Sequence, residues 1–170
     1  MPEYVPEVTR VEVAGRKLRL TSLDKVMYPS TETTKGEVLA YYAQVAPLML
    51  PHVANRPVTR VRWPHGVEDQ MFFEKNLPSG APSWLQRAPI DDVTYPLITD
   101  LADLTYLVNL NSLELHVPQW TWSDASPGPI LAPAASARAA VDERFRDARA
   151  LRQTRSTAPR IRRDIDRRGD

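Results

Sequence analysis

A chain of 170 residues, 42% hydrophobic and 25% charged, is the size of one typical domain, and its lack of Cys excludes disulfides, zinc ribbons and thiolate catalysis. No apolar run approaches the roughly 20 residues that cross a bilayer, and the opening MPEYVPEVTR has neither the basic nor the apolar region of a secretion signal, so a cytoplasmic protein is expected. The net charge of +1 conceals a break near residue 122: residues 1–122 sum to −3 and residues 123–170 to +4.

In chain order, VEVAG and RKLRLT alternate apolar and polar residues on either side of a Gly-containing turn and predict a hairpin. Thr34, with Glu37 three positions on, has the form of a capping box, and Val38, Tyr41, Tyr42 and Val45 follow at helical spacing. A helix is expected from Lys35, broken or restarted at Pro47, which cannot donate a hydrogen bond. PVTRVRW and MFFEK read as half-buried strands, and Val93 to Ile98 is the best strand within a Pro-dense stretch. Thr99 opens a second helix through Leu101, Leu104, Leu107, Val108 and Asn111, before LELHVPQW returns to alternation.

The expected fold class is α/β (α+β), with one mixed sheet and two main helices. Two parts are expected: residues 1–122 as the ordered unit, and residues 123–170 as a tail, disordered or loosely helical. That tail has no Lys, ten Ala in 48 residues and Phe145 as its one aromatic, too few large side chains for a core.

Several residues have chemistry to offer. Arg60 and Arg62 share a strand face near Trp63, Phe72, Phe73 and Lys75; spaced cations hold phosphates while exposed aromatics stack on bases. The competing reading is ordinary sheet surface over core aromatics. Lys25 and Lys35 flank a Ser/Thr-rich loop at a helix N-terminus, where free amides would complete an anion cradle; a plain helix cap is the alternative. His116 shares a face with Glu114, as a ligand to phosphate, sugar or metal or as a structural His. The carboxylates give no metal site: Asp91 and Asp92 point to opposite faces of a strand, Asp100 and Asp103 read as first-turn helix charge, and Asp164 with Asp166 lies among arginines without an apolar strand.

Taken together, LTSLDKVMYP, TTKGEVLAYYAQVAPLMLPH, NRPVTRVRWPHGV, FFEKNLPSGAPSW and LELHVPQW resemble the start of the polymerase domain of bacterial DNA ligase D, the primase-polymerase module of non-homologous end joining. The resemblance runs from about Val11 to Trp120. It implies a partial archaeo-eukaryotic primase-like fold that binds DNA ends through their 5′-phosphate and adds nucleotides with Mn or Mg. It also implies roles: Lys25 and Lys35 on the 5′-phosphate, Arg60, Arg62, Phe72, Phe73 and Lys75 at the template strand, and His116 on the nucleotide side of the cleft. Val61 falls where relatives often have a lysine.

The chain departs from the family after Trp122. There the family has an apolar strand ending in D-x-D-P, which supplies two metal-binding aspartates; here SDASPGPILAPAASARAAVDERF follows. The expectation is therefore a truncated nucleotidyltransferase relative without catalytic or metal residues of its own, binding no metal alone. Its Lys-free tail resembles a frameshifted reading frame. The alternatives are an enzyme completed by a partner chain and a non-functional product. Expected partners are 5′-phosphorylated DNA ends, with Ku or a separate ligase, in a nucleoid-associated setting and with no membrane.

Overall fold

Val8–Val13 (β1) and Arg16–Thr21 (β2) form the expected hairpin. Its two turn residues, Ala14 and Gly15, have φ of 48° and 75°, the doubly positive conformation that matches strand twist in a two-residue loop. The alternation works as read: Val11, Val13, Leu18 and Leu20 are buried. The computed structural model describes residues 7–123, 126–131 and 162–163.

Val26–Tyr28 (β3) and Thr33–Thr34 (β4) pair across a short turn that ends in Glu32 at φ 54°. Lys35–Val53 (α1) follows, and Thr34 caps it in a full capping box with Glu37. The expected break at Pro47 does not occur: α1 is one helix with Pro47 and Pro51 inside it. A Pro in a helix interior costs about 3 kcal/mol, while burying a Val or Leu side chain stabilises by about 1.5–3 kcal/mol. Val38, Leu39, Ala43 and Ala46 before Pro47 and Val53 after Pro51 are all buried, so contacts with the core on both sides of the two prolines hold the helix together.

Thr59–Arg62 (β5), Phe72–Glu74 (β6), Arg87–Ile90 (β7) and Val93–Pro96 (β8) come next. Asp91 and Asp92, read as strand residues, form the turn between β7 and β8, with Asp91 at φ 50°. Leu101–Asn109 (α2) starts one residue later than expected, because Asp100 and not Thr99 is its cap, and Asn111 lies beyond its end at φ 62°. LELHVPQW is not one strand. It is divided into Ser112–His116 (β9) and Trp120–Ser123 (β10) around Val117 and Pro118.

The fold class is mixed α/β with two helices, as expected. The single expected sheet is instead several small ones: β6-β5-β9, β7-β8, β3-β4, β10-β11 and β12-β1-β2. Here β11 is Ser126–Leu131 and β12 is Arg162–Arg163. Both lie in the segment expected to be disordered or helical; main-chain pairing with β10 and β1 makes them strands. Asp164 and Asp166 lie outside the described residues. Among the described residues no helix is long and apolar enough to cross a membrane.

Helix α2 lies along β2 and is fastened to it at both ends. At one end the buried Asp103 accepts from Arg16 Nη1 (3.0 Å), Thr99 N (2.8 Å), Thr99 Oγ1 (2.6 Å) and Asp100 N (3.2 Å). At the other, Asn109 Oδ1 accepts from Thr21 N (3.1 Å) and its Nδ2 donates to Arg19 O (3.1 Å). The fastening residues Asp103 and Asn109 are about 9 Å apart along α2, and Arg16 and Thr21 about 17 Å apart along β2; the long Arg16 side chain reaches across the difference. Asp103→Ala removes an acceptor from four donors, of which Arg16 keeps Asp100 and its place over the Trp84 ring. It should destabilise the protein by about 2–4 kcal/mol in urea unfolding, and a loss below about 0.5 kcal/mol would contradict this account.

Candidate nucleic-acid interface

The loop before β3 and the start of α1 are tied together by their backbones. Lys35 N donates to Lys25 O (2.8 Å), Gly36 N to Leu23 O (2.9 Å) and Glu37 N to Thr34 Oγ1 (3.3 Å). A Cβ on Gly36 would lie 3.3 Å from Leu23 O, so a side chain there would crowd the contact. The expected cradle of free helix amides is therefore corrected: the first amides of α1 are already bonded to the preceding loop and to the capping box. What remains for an anion is side-chain charge.

That charge is gathered in one place. Lys35 is 2% exposed and its Nζ donates to Thr21 O at 2.8 Å. Lys25 Nζ donates to Pro64 O at 2.8 Å, and Arg62 Nε to Leu110 O at 2.6 Å. Burial, and then the nearby charges of Lys25 and Arg62, push the Lys35 ammonium down to about 8. The turn at Pro64 is seated on β3 through Val67 N, which donates to Met27 O (2.9 Å). Gly66, at φ +105°, allows that approach, since a Cβ there would lie 3.3 Å from Val26 O.

The two arginines of β5 share a face, as their spacing predicted, but only one reaches solvent. Arg60 has no exposure at all. Its Nη2 donates to Glu74 Oε2 (3.0 Å) and Asn76 O (2.6 Å), and its Nε and Nη1 find no partner among the described residues. Arg62 also pairs with Glu74, through Oε1. Arg60 thus stands behind the surface rather than on it. Burial lowers its pKa, and Glu74 opposes that shift.

Beside them, β6 is an edge strand paired with β5 in the register Arg62↔Phe72, Val61↔Phe73 and Arg60↔Glu74. Adjacent residues point to opposite faces, yet Phe72 and Phe73 are 43% and 62% exposed because no strand covers that edge among the described residues. Phe73 meets His116 edge-on with ring centroids 6.2 Å apart, and His116 Nε2 lies 2.8 Å from Glu114 Oε2. The residues expected at the template and at the nucleotide side are therefore neighbours. Lys75 follows β6, exposed, between Glu74 and Asn76, both of which bond Arg60. Trp63 is partly buried against the core and is not part of this surface.

Glu74 was not singled out from the sequence, although a carboxylate two positions along from Phe72, on a strand next to Arg60 and Arg62, is the opposite-charge pattern of paired strands. Tyr42 was likewise missed as a fastening: its hydroxyl donates to Leu113 O (2.7 Å), and burial raises its pKa to about 12.

The described carboxylates do not fit a divalent metal centre. Glu74 is bonded to two arginines, Asp103 is enclosed in the α2 cap, and Glu114 lies against His116. Among the described residues no three His, Asp or Glu side chains gather closely enough to hold an ion.

The sequence model of the family described as "LigD, primase-polymerase domain" matches residues 34–163. The multifunctional non-homologous end joining protein LigD of Mycolicibacterium smegmatis is 51% identical over 117 residues, covering 66% of this chain and 15% of that protein. The bifunctional non-homologous end joining protein LigD of Bacillus subtilis is 36% identical over 128 residues, covering 75% of this chain and 21% of that protein. The polymerase domain of Mycobacterium tuberculosis ligase D, solved in complex with DNA, is 45% identical with a TM-score of 0.62, covering 69% of this chain and 42% of that one. The chain thus spans less than half the length of each of these relatives.

The position of Lys35 sets a pH dependence. Its ammonium is protonated in the unfolded chain up to about 10.5 but in the folded protein only up to about 8. Between those values the unfolded chain holds more protons, so stability rises with pH through that window, while below about 8 the folded state carries the full cost of the buried charge. Relative to Lys35→Met, the wild-type chain should gain stability as pH is raised from 8 to 10.5. Parallel urea midpoints for the two proteins across that range would contradict the assignment.

Proposed function

The chain belongs to the LigD primase-polymerase family, and from that premise we propose that its described residues hold a broken DNA end in bacterial double-strand-break repair by non-homologous end joining. Lys25 takes the 5′-phosphate, and the buried Lys35 ammonium adds its charge from behind. Arg62, Phe72, Phe73 and Lys75 meet the template strand, His116 lies on the nucleotide side, and Arg60 supports them from behind. The observation that supports this most is the gathering of Lys25, Lys35 and Arg62 beside an edge strand that presents Phe72 and Phe73 to solvent. Cations brought together and desolvated are unfavourable until an anion joins them, and a terminal phosphate supplies two negative charges. The likeness to a polymerase domain solved with DNA supports the same ligand class.

Nucleotide addition by the family needs acidic residues to hold Mn or Mg, and the described carboxylates do not assemble such a site. We therefore propose an end-binding chain that does not polymerise alone and is completed in trans when polymerisation is required. Supplied with Mn²⁺ or Mg²⁺, nucleotides and a gapped duplex bearing a 5′-phosphate, it should give no extension. Metal-dependent extension by the chain alone would overturn the binding-only reading.

The end-binding reading has its own test. A recessed duplex with a 5′-phosphate should bind about ten-fold more tightly than the same duplex with a 5′-hydroxyl, the equivalent of one charge-assisted contact. Lys25→Ala should abolish that preference; equal affinity of the wild-type chain for both ends would remove the proposal. Phe73→Ala should weaken binding to the template overhang by about 1–3 kcal/mol through lost stacking, measured by fluorescence anisotropy.

A further inference from the structure

Glu74 is assigned no contact with the DNA end, yet it is where the two parts of the end-binding surface meet. Its Oε2 accepts from Arg60 Nη2 at 3.0 Å and its Oε1 pairs with Arg62, so one carboxylate spans two guanidiniums of the central strand β5. On the β6 side it is the last residue of the strand that carries Phe72 and Phe73. On the β5 side Arg62 is followed two residues later by Pro64, whose carbonyl holds Lys25 Nζ at 2.8 Å.

A continuous chain of contacts therefore runs from the cation cluster to the aromatic edge: Lys25 to Pro64, along the backbone to Arg62, across Glu74 to β6, and so to Phe72 and Phe73. The partners of Arg60 strengthen it. The same Nη2 that meets Glu74 also meets Asn76 O at 2.6 Å, which fixes the chain on both sides of Lys75. Strand β6 has three residues and, among the described residues, one neighbouring strand, so its main-chain bonds alone hold it weakly. Arg60 is fully buried and can move little, which makes it the fixed point from which the edge is set.

We propose that Glu74 is a positioning residue that couples recognition of the 5′-phosphate to stacking of the template strand, by locking the aromatic edge to the arginines of β5. The proposal rests on the end-binding reading above. A phosphate drawn to Lys25 and Lys35 pulls on Arg62, the neighbouring cation. Because Arg62 and Arg60 share Glu74, that pull reaches β6 rather than ending at the arginine. An end without a phosphate leaves Arg62 with Glu74 and Leu110 O alone and should give looser stacking.

The test is a double-mutant cycle on the full chain. Affinities for 5′-phosphate and 5′-hydroxyl recessed duplexes are measured with Phe73 and with Phe73→Ala, in the wild-type and Glu74→Gln backgrounds. The overhang carries 2-aminopurine, whose quenching at saturating protein reports stacking. With Glu74 present, removing Phe73 should reduce the phosphate preference by roughly five-fold, and the phosphate should deepen the quenching. With Glu74→Gln the two effects should become independent to within about two-fold and the quenching should no longer depend on the phosphate. Glu74→Asp, one methylene too short to span both guanidiniums, should behave as Glu74→Gln and decides the matter if Glu74→Gln fails to fold. Independence already in the wild-type chain, or coupling that survives both substitutions, overturns the proposal and leaves the end-binding reading standing. A wild-type chain with no phosphate preference removes both.

Discussion

Three cations near one another in a partly buried place repel, and each must be held by something that does not cancel it. Here the holders are backbone carbonyls: Thr21 O for Lys35, Pro64 O for Lys25 and Leu110 O for Arg62. A carbonyl fixes a donor in position and satisfies part of its hydrogen bonding but carries no net charge. The field of the cluster is left available to an incoming anion, where carboxylate partners would have neutralised it. Among the described residues Arg62 alone of the three also touches a carboxylate, and it shares that carboxylate with Arg60, so the positive charge is in excess there too.

The three carbonyls come from three parts of the chain, and bringing them together is much of what the fold accomplishes. Thr21 ends β2, Pro64 follows β5, and Leu110 is the C-cap of α2. The last placement is favourable in its own right, since the carbonyls at a helix C-terminus attract a cation. The fastening of α2 along β2 and the seating of the Pro64 turn on β3 through Gly66 thus support the cation cluster as well as the core.

What could be read in the sequence was local. The β1–β2 hairpin, the Thr34–Glu37 capping box and the alternation of β5 each depend on residues within a few positions of one another, and the family resemblance drew on runs of such segments. What escaped was set by distant partners. Pro47 breaks an isolated helix but not one whose Ala46 and Val53 are buried on either side. Arg60 reads as a surface residue by its alternation, and its burial follows from β5 being the central strand, with Glu74 and Asn76 closing over it. The free amides expected at α1 were taken by Leu23 and Lys25, whose carbonyls fold back in a way no spacing rule indicates. Strand β11 needed its partner β10 to exist at all, since SPGPIL has no alternation to mark it.

Thr21 serves two masters. Its amide donates to Asn109 at the end of α2, and its carbonyl accepts from the ammonium of Lys35. A single residue therefore belongs both to the packing of the hairpin and to the cation cluster, and neither can fray without disturbing the other. Local opening of this region is consequently shared: loosening of α2 from β2 at Thr21 also loosens the seat of the Lys35 ammonium.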